Sequence, residues 1–212
     1  MPIFSILICT IGRRSEQFAN ILNILLPQVN EYHGTVEIVA YWNNGERPLA
    51  EIRQTLVEKA KGEYIAFVDG DDGVPPYYVE EIMTATVEDC PDYVGWQMQA
   101  YTNGVALKPT YHSMRYEGWS EDDAGYYRDV SHLNPIKRSI ALKVPFTHIG
   151  DNPEDFRWAQ EVPKYVKTES YIDKPVYFYR HNTDDSTWRG DFPKDFHGER
   201  PKIKNPYFRY IQ

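Results

Sequence analysis

Residues 62–76 read GEYIAFVDGDDGVPP, and this stretch decides the fold. Its apolar run, residues 64–68, is typical of a strand that is buried on both faces of a sheet. Asp69, Asp71 and Asp72 follow the run directly. Carboxylates gathered at one point repel each other unless a cation or several hydrogen-bond donors lie among them. The stretch alone leaves two interpretations open, a solvated acidic turn and a ligand site.

Predicted strands and helices alternate around this stretch. The sequence predicts strands over 3–9 and 36–41, and helices over 15–27, 48–61 and 75–88. This β-α-β-α-β order indicates a parallel sheet covered by helices, and ligands bind at the carboxyl ends of the strands of such sheets. Residues 10–14, 42–46 and 69–72 are polar and follow the three strands. We therefore expect three loops to meet at one edge of an α/β domain.

Residues at the helix ends set the expected bounds of these elements. Ser15 is the predicted N-cap of the first helix, and Gly62 is the predicted end of the second. Pro75 and Pro76 are predicted to start the third helix, because proline is tolerated in the first helical turn.

The pattern changes after residue 90. Residues 92–100 alternate apolar and polar side chains as a half-exposed strand does. The remaining expectations are hairpins or loops over 101–130, an ordered apolar segment over 133–145, a helix over 150–162 with Pro153 at its first position, a strand over 176–179 and an extended tail over 192–212.

Length and composition limit the class of protein. The 212 residues suit one domain, with 42% hydrophobic and 25% charged residues. The net charge of −8 argues against general binding to nucleic-acid phosphates. Cys9 and Cys90 form no metal-binding motif. Because the apolar start lacks the basic lead of a signal peptide and no apolar run is long enough to span a membrane, we expect a soluble, cytoplasmic protein.

Other proteins also place aspartates in such spacings. A calcium-binding EF-hand loop that began at Asp69 would need glycine at its sixth position, where this chain has Val74. A phosphatase of the haloacid-dehalogenase type would use Asp69 and Asp71, but its motif lies on the first strand and continues with Thr or Val where Gly73 stands here. The glycine-rich phosphate motifs are absent from the sequence. The calcium loop is eliminated and the phosphatase is weakened.

Four segments together resemble glycosyltransferase family 2, whose members have the GT-A fold and use nucleotide sugars. They are SILICTIGRR (5–14), AEIRQTLVEKAKGEYIAFVDGDD (50–72), GDNPEDFRWA (150–159) and YFYRHN (177–182). The resemblance covers most of the chain, with the segments in the family's order and spacing. It implies a Rossmann-like mixed sheet with helices on both faces, in a single domain. Residues 1–100 would bind the nucleotide sugar, residues 101–191 would bind the acceptor, and residues 192–212 would pack on the body.

The resemblance implies a metal site and a donor site. Asp71 would hold Mn²⁺ or Mg²⁺, Asp69 would lie beside the ribose and the metal, and Asp72 would orient its neighbours. His181 matches a histidine that completes the metal site in many members, or else it is a loop residue with a local hydrogen bond. The expected donor contacts are Thr10, Gly12, Arg13, Asn43, Asn44, Arg53, Asp69 and Gly70.

The resemblance also places the catalytic residues, Asp155 and its neighbour Glu154. An acceptor hydroxyl needs a general base within hydrogen-bond reach. Asp155 lies in the first turn of the predicted helix, where the helix dipole favours an ionised carboxylate. The alternative is that these acids only cap the helix, although Asp151 or Asn152 can do that.

The function implied is metal-dependent transfer of one sugar with inversion. Relatives that bind uracil place an acid after the second strand, where this chain has Asn43 and Asn44, so a UDP-sugar is only the default donor and Trp42 would stack on the base. Glu154 stands where the processive synthases have glutamine, which favours a single transfer. The acceptor stays open between a glycan, a lipid-linked sugar, a protein and a modified nucleic-acid base. A non-catalytic nucleotide-sugar-binding module is the third function considered.

Overall fold

The structure, a computed structural model, describes residues 1–147, 154–181 and 200–211. The strands in these ranges are β1 (Phe4–Ile11), β2 (Val36–Asn43), β3 (Tyr64–Phe67), β4 (Tyr93–Thr102), β5 (Val105–Ala106), β6 (Thr110–His112), β7 (Ser120–Glu121), β8 (Tyr126–Arg128), β9 (Ile136–Lys137), β10 (Glu169–His181) and β11 (Phe208–Ile211). The α-helices are α1 (Ser15–Glu31), α2 (Leu49–Lys59), α3 (Tyr78–Asp89), α4 (Arg138–Ala141) and α5 (Glu154–Glu161). Gly12–Arg14 and Val162–Tyr165 form single 3₁₀ turns.

The strands form one mixed sheet in the order β11-β2-β1-β3-β9-β4-β6-β8-β7, and β10 and β5 also pair with β4. β11, β2, β1 and β3 run parallel, whereas β9 is antiparallel to both β3 and β4. The strands of the parallel part are mostly apolar, and β3 is buried at each of its four positions. This is the composition of strands that are covered on both faces.

The order of the strands reverses beside β1. The chain passes from β1 to β2 on one side and then crosses back to β3 on the other side. Right-handed crossovers therefore place α1 and α2 on opposite faces of the sheet. In agreement, α1 packs against α3, and α2 packs against α5. The predicted α/β fold is confirmed, and the carboxyl ends of β1 and β3 form its topological switch point.

The first helix is longer than the sequence predicted. It was expected over 15–27 but continues through Pro27 to Glu31. The Gln28 side chain explains the extra turn, because its amide donates to Pro75 O (3.1 Å) and its carbonyl accepts from Val79 N–H (3.0 Å). Ser15 is not the N-cap; it is the first helical residue, and the cap position belongs to Arg14, which makes no side-chain cap hydrogen bond.

The second and third helices are shorter than predicted. α2 ends at Lys59 rather than at Gly62. A Cβ on Gly62 would lie 2.7 Å from the backbone nitrogen of Ser5, so this glycine permits a close approach to β1 rather than ending a helix. α3 begins at Tyr78, after the two prolines, whose segment forms a turn in which Tyr78 N–H donates to Pro75 O (3.1 Å).

The second half of the chain holds more strand than the sequence indicated. The strand expected over 176–179 is part of β10, which spans Glu169–His181 and pairs with β4. Register shifts at Pro175 interrupt its ladder, which hides the alternation that would have predicted its full length. Residues 101–130 form the short strands β5 to β8. No helix in the described ranges is long and apolar enough to cross a membrane.

The end of the chain joins the sheet. β11 pairs with β2 in parallel, and its Arg209 donates through Nε to the buried carboxylate of Glu37 (3.0 Å). The Ser5 hydroxyl (2.7 Å) and the Lys61 N–H (2.7 Å) also donate to Glu37. Burial acts to raise the pKa of Glu37, but these hydrogen bonds and the charge of Arg209 hold it below its usual range.

We expect Arg209→Ala to lower the free energy of unfolding at pH 7 by about 1–3 kcal/mol, since a buried carboxylate then loses a charged partner. The pKa of Glu37 is depressed, so its contribution is present above the ordinary glutamate pKa of about 4.3 and is lost as the pH falls through the lower folded-state value. Urea unfolding should therefore show a smaller difference in the free energy of unfolding between Arg209→Ala and the unmodified protein at low pH than at pH 7. Arg47→Ala, which removes an exposed pair with Glu51, is the matched control and costs under about 0.5 kcal/mol. An equal difference between the two proteins at both pH values would contradict the stabilisation of the Glu37 carboxylate by Arg209.

Candidate active site

Asp72 anchors the acidic turn to the far half of the chain. Its Oδ2 accepts from the Tyr177 hydroxyl (2.8 Å) and its Oδ1 accepts from Arg180 N–H (2.8 Å) on β10. The same hydroxyl accepts from Asp69 N–H (3.0 Å). Burial and the charges of Asp69 and Asp71 raise the pKa of Asp72 well above its usual range. Asp72 thus holds the turn in place, while Asp69 and Asp71 remain more exposed.

Gly70 brings the acidic turn against the end of β1. A Cβ at this position would lie 3.3 Å from both Cys9 O and Thr10 Oγ1. A larger residue would push the turn away from the strand. Thr10 Oγ1 is buried and has no hydrogen-bond partner within the described ranges. Burial raises the pKa of Cys9 to about 12, so this neighbouring side chain stays a thiol.

Asp71 is paired with a positive charge. Its Oδ1 lies 2.6 Å from Nη1 of Arg14, and the exposed fractions of the two side chains are 26% and 16% respectively. Arg14 belongs to the 3₁₀ turn that follows β1, and it occupies the cap position of α1. The pair therefore joins the two loops at the switch point of the sheet. Gly12 and Arg13, which the resemblance placed at the donor, lie in the same turn.

Arg53 connects the acidic turn to α5. Its guanidinium is almost fully buried and donates to Glu154 through Nε (3.0 Å) and to Asp69 through Nη2 (3.3 Å). Burial acts to lower the pKa of Arg53, but the surrounding acids raise it above its usual value. Nη1 is buried without a hydrogen-bond partner in the part of the chain that the structure describes.

Asp155 lies at the start of α5, next to Glu154. Its side chain is 37% exposed, and its Oδ1 accepts from Phe156 N–H (2.8 Å). Its Oδ2 lies 3.9 Å from Nδ1 of the buried His132. Burial and the nearby Arg53 and His112 hold the pKa of His132 well below its usual range. His132 is therefore neutral at physiological pH, and the ionisable group that faces solvent is Asp155. Asp151, Asn152 and Pro153 lie outside the described residues.

The side chains of Asn43 and Asn44 make hydrogen bonds within the loop that follows β2. The Asn43 side chain donates to Arg47 O (3.0 Å) and accepts from the backbone N–H of Glu46 (3.1 Å). The Asn44 side chain accepts from the Trp42 indole (3.0 Å). A cavity of about 430 Å³ opens beside this loop. Its lining includes Tyr41, Trp42, Asn44, Glu46, Arg47 and Arg200.

His181 lies at the end of β10. It lines a second cavity of about 390 Å³ together with Tyr101, Phe178 and Arg180. In the described ranges, no group of three or more His, Cys, Asp or Glu side chains is gathered as if to hold a metal ion. The structure therefore does not bring His181 together with Asp69 and Asp71 as a ready three-ligand set.

The donor atoms of the acidic turn still suit Mn²⁺ or Mg²⁺. Carboxylate oxygens are hard ligands, and Mg²⁺ is commonly bound by one or two carboxylates while substrate phosphates and water supply the rest. Asp71 is accessible, with Asp69 two residues away. Arg14 already places a positive charge on Asp71.

Three residues of the site escaped the sequence analysis. Arg14 was passed over for Arg13, although both follow β1. Tyr177 begins the family-like segment 177–182 and His132 lies in none of the four, and neither was given a role, because their relation to the acidic turn and to Asp155 arises only through tertiary contacts. The signal available for Arg14 was its place in the loop after the first strand, which is where ligands collect.

Comparison with known proteins identifies relatives of this site and fold. The model of a family described as "Glycosyl transferase family 2" matches residues 25–161. The curated "Putative glycosyltransferase EpsH" of Bacillus subtilis (strain 168) is 25% identical over 142 residues, which are 62% of this chain and 41% of the relative.

Solved structures of S. aureus TarS share the fold. TarS 1-349 superposes with a TM-score of 0.61 at 18% identity, over 85% of this chain and 60% of that one. The same protein in complex with UDP-GlcNAc gives a TM-score of 0.61 at 16% identity, over 91% and 62%. At these identities the likeness concerns the fold. The chain spans less than two thirds of the length of each of these proteins.

Proposed function

The chain belongs to glycosyl transferase family 2, and from this premise we propose that it transfers one sugar from a nucleotide-sugar donor to an acceptor hydroxyl. The observation that carries the proposal is the Arg53 bridge. Arg53 ties Asp69 of the acidic turn to Glu154, the neighbour of Asp155. It thereby holds the residues that would face the leaving diphosphate and the residue that would activate the acceptor at one edge of the sheet.

Asp155 is the general base of the proposed reaction. Its carboxylate takes the proton of the acceptor hydroxyl, and the acceptor oxygen forms a bond to the anomeric carbon. The bond between that carbon and the diphosphate oxygen breaks, and its electron pair leaves with the nucleotide. A single attack of this kind inverts the configuration at the anomeric carbon. The half-exposed position of Asp155 at the start of α5 supports this role, because a base must be both ionised and accessible.

The acidic turn serves the departing nucleotide. Asp71 and Asp69 would hold Mn²⁺ or Mg²⁺, which would supply positive charge to the leaving diphosphate. Asp69 keeps the turn oriented through Arg53, and Asp72 keeps it anchored to β10. Thr10 Oγ1 and Arg53 Nη1 are buried polar atoms without partners within the described ranges, and they offer hydrogen bonds to the donor.

UDP-GlcNAc is the first donor to test. The TarS structure with UDP-GlcNAc shows that a protein of this fold accepts a uridine nucleotide sugar. The cavity beside Trp42 and Asn44 supplies an aromatic face and hydrogen-bonding groups for a base. Asn44 lines this cavity and Asn43 does not, so Asn44 is the better placed of the two for this contact. Of the alternatives, the non-catalytic module differs from the proposal only in turnover, and the family assignment gives the phosphatase no support.

We expect UDP-GlcNAc with Mn²⁺ to raise the melting temperature of the protein. Ligand at a hundred times its Kd stabilises the folded state by about 2.7 kcal/mol, which for a chain of this size corresponds to a rise of about 5–10 °C. Differential scanning fluorimetry with UDP-, GDP- and dTDP-sugars, each with and without Mn²⁺, measures this. Asp71→Asn is the matched control and should lose the part of the rise that needs Mn²⁺. No rise with any of these donors would contradict the proposal.

A further inference from the structure

The contact between Arg14 and Asp71 has a consequence for donor binding. Arg14 makes one short contact, from Nη1 to Asp71 Oδ1 (2.6 Å), while its Nε is buried without a hydrogen-bond partner within the described ranges. Pairs of arginine with a carboxylate are frequently held by two parallel hydrogen bonds. Here the guanidinium is held at one point and retains unused donors. Both side chains are partly accessible, so a ligand can reach the pair.

The pair occupies the place where the proposed reaction needs a cation. Asp71 is the carboxylate to which the family resemblance assigns the metal ion. A guanidinium on its Oδ1 neutralises the charge that would attract Mn²⁺, and the two cations repel each other when they are close. Binding of the metal at Asp71 therefore requires Arg14 to move away from this oxygen.

The surroundings of Arg14 also suit an anion. Arg14 is the cap residue of α1, a helix of 17 residues, and the start of a helix carries positive partial charge and free N–H groups. A diphosphate presents several oxygens to a guanidinium and satisfies more of its donors than the single contact with Asp71. The position from which Arg14 would be displaced thus borders a position that favours a diphosphate.

We propose that Arg14 is the resting counter-ion of Asp71 and that it passes to the diphosphate of the donor when the metal binds. Arg14 is in this view a positioning residue that couples the two ligands. The metal alone binds weakly because it competes with Arg14, whereas donor and metal together bind well because the diphosphate receives the displaced guanidinium. The inference rests on the proposed function, since it takes the nucleotide sugar and Mn²⁺ as the ligands.

The test measures Mn²⁺ binding rather than sugar transfer. Free Mn²⁺ is titrated with the full chain by electron paramagnetic resonance, in the presence and in the absence of UDP. We expect Arg14→Gln to bind Mn²⁺ without UDP about tenfold more tightly than the unmodified protein, a change that corresponds to about 1.4 kcal/mol. UDP should increase the affinity for Mn²⁺ by a smaller factor in this variant than in the unmodified protein. The reason is that Arg14 couples the two ligands in the unmodified protein, and the coupling acts equally on the binding of each.

Control variants separate charge competition from other effects. Lys164→Gln removes a positive charge from an exposed pair with Glu161 and should leave Mn²⁺ binding unchanged. Arg14→Lys keeps the charge and should bind Mn²⁺ much as the unmodified protein does. Circular dichroism checks that each variant is folded.

The outcomes distinguish failure of this inference from failure of the proposed function. If Mn²⁺ binds in a manner that Asp71→Asn abolishes, but Arg14→Gln binds it no more tightly than the unmodified protein, the role of Arg14 is overturned and the proposed function stands. An increase in Arg14→Lys equal to that in Arg14→Gln would also overturn the role of Arg14. If the unmodified protein binds neither Mn²⁺ nor UDP, alone or together, both proposals fail.

Discussion

Asp155→Asn lowers the rate of sugar transfer by about 10²–10⁴-fold, the range that general bases contribute in enzymes. Asparagine has nearly the shape of aspartate, so α5 keeps its start, and the ion pair of the neighbouring Glu154 with Arg53 is untouched. The amide has no basic oxygen that can take the proton of the acceptor hydroxyl. Release of UDP from UDP-GlcNAc in the presence of an acceptor, measured by a coupled assay, gives the rate. Melting curves with donor and Mn²⁺ should be unchanged.

A matched change on the same helix isolates the effect. Glu161→Gln also replaces a carboxylate with an amide, but it lies at the other end of α5 in an exposed pair with Lys164. This variant should transfer sugar at the rate of the unmodified protein. If Asp155→Asn did so as well, Asp155 would not be the base. If the unmodified protein bound the donor but transferred no sugar to any acceptor offered, the non-catalytic module would be the better description.

The sequence predicted the part of the fold that depends on local pattern. The apolar run before Asp69, the alternation of predicted strands and helices and the polar loops after each strand were sufficient to place the acidic turn at the edge of an α/β sheet. The bounds of the elements were less predictable, because contacts from distant residues decide them. Gln28 prolongs α1 through Pro27 by bonding to the segment before α3, and no helix propensity contains that information.

The sequence predicted which residues belong to the candidate site but not which of them contact each other. The three aspartates of the turn have the same chemistry, and only β10, more than 100 positions away, makes Asp72 the buried anchor. In the same way, Arg53 and Glu154 are 101 positions apart, so their pairing cannot be read from local pattern. The choice between two adjacent arginines after β1 depends on the geometry of one 3₁₀ turn. The contact of Arg14 with Asp71 follows from that turn and not from the residue type.

Arg53→Met lowers the free energy of unfolding by about 3–5 kcal/mol, the cost of removing one partner from a buried ion pair. Methionine fills much of the volume of the arginine stem, but it leaves Glu154, which is 8% exposed, without its positive partner. The exposed pair of Arg47 and Glu51 provides the control, and Arg47→Met should cost less than about 0.5 kcal/mol. Urea unfolding followed by tryptophan fluorescence measures both changes.

The loss in Arg53→Met should be partly recovered when the unpaired acid is also removed. Because the penalty comes from an uncompensated buried charge, the double variant Arg53→Met with Glu154→Gln is expected to be more stable than Arg53→Met alone. Its transfer activity should nevertheless stay low, since α5 and the acidic turn have lost the bridge between Asp69 and Glu154 that positions Asp155. If Arg53→Met cost less than about 1 kcal/mol, or if the double variant regained both stability and full activity, the bridge would not be what holds the two halves of the site together.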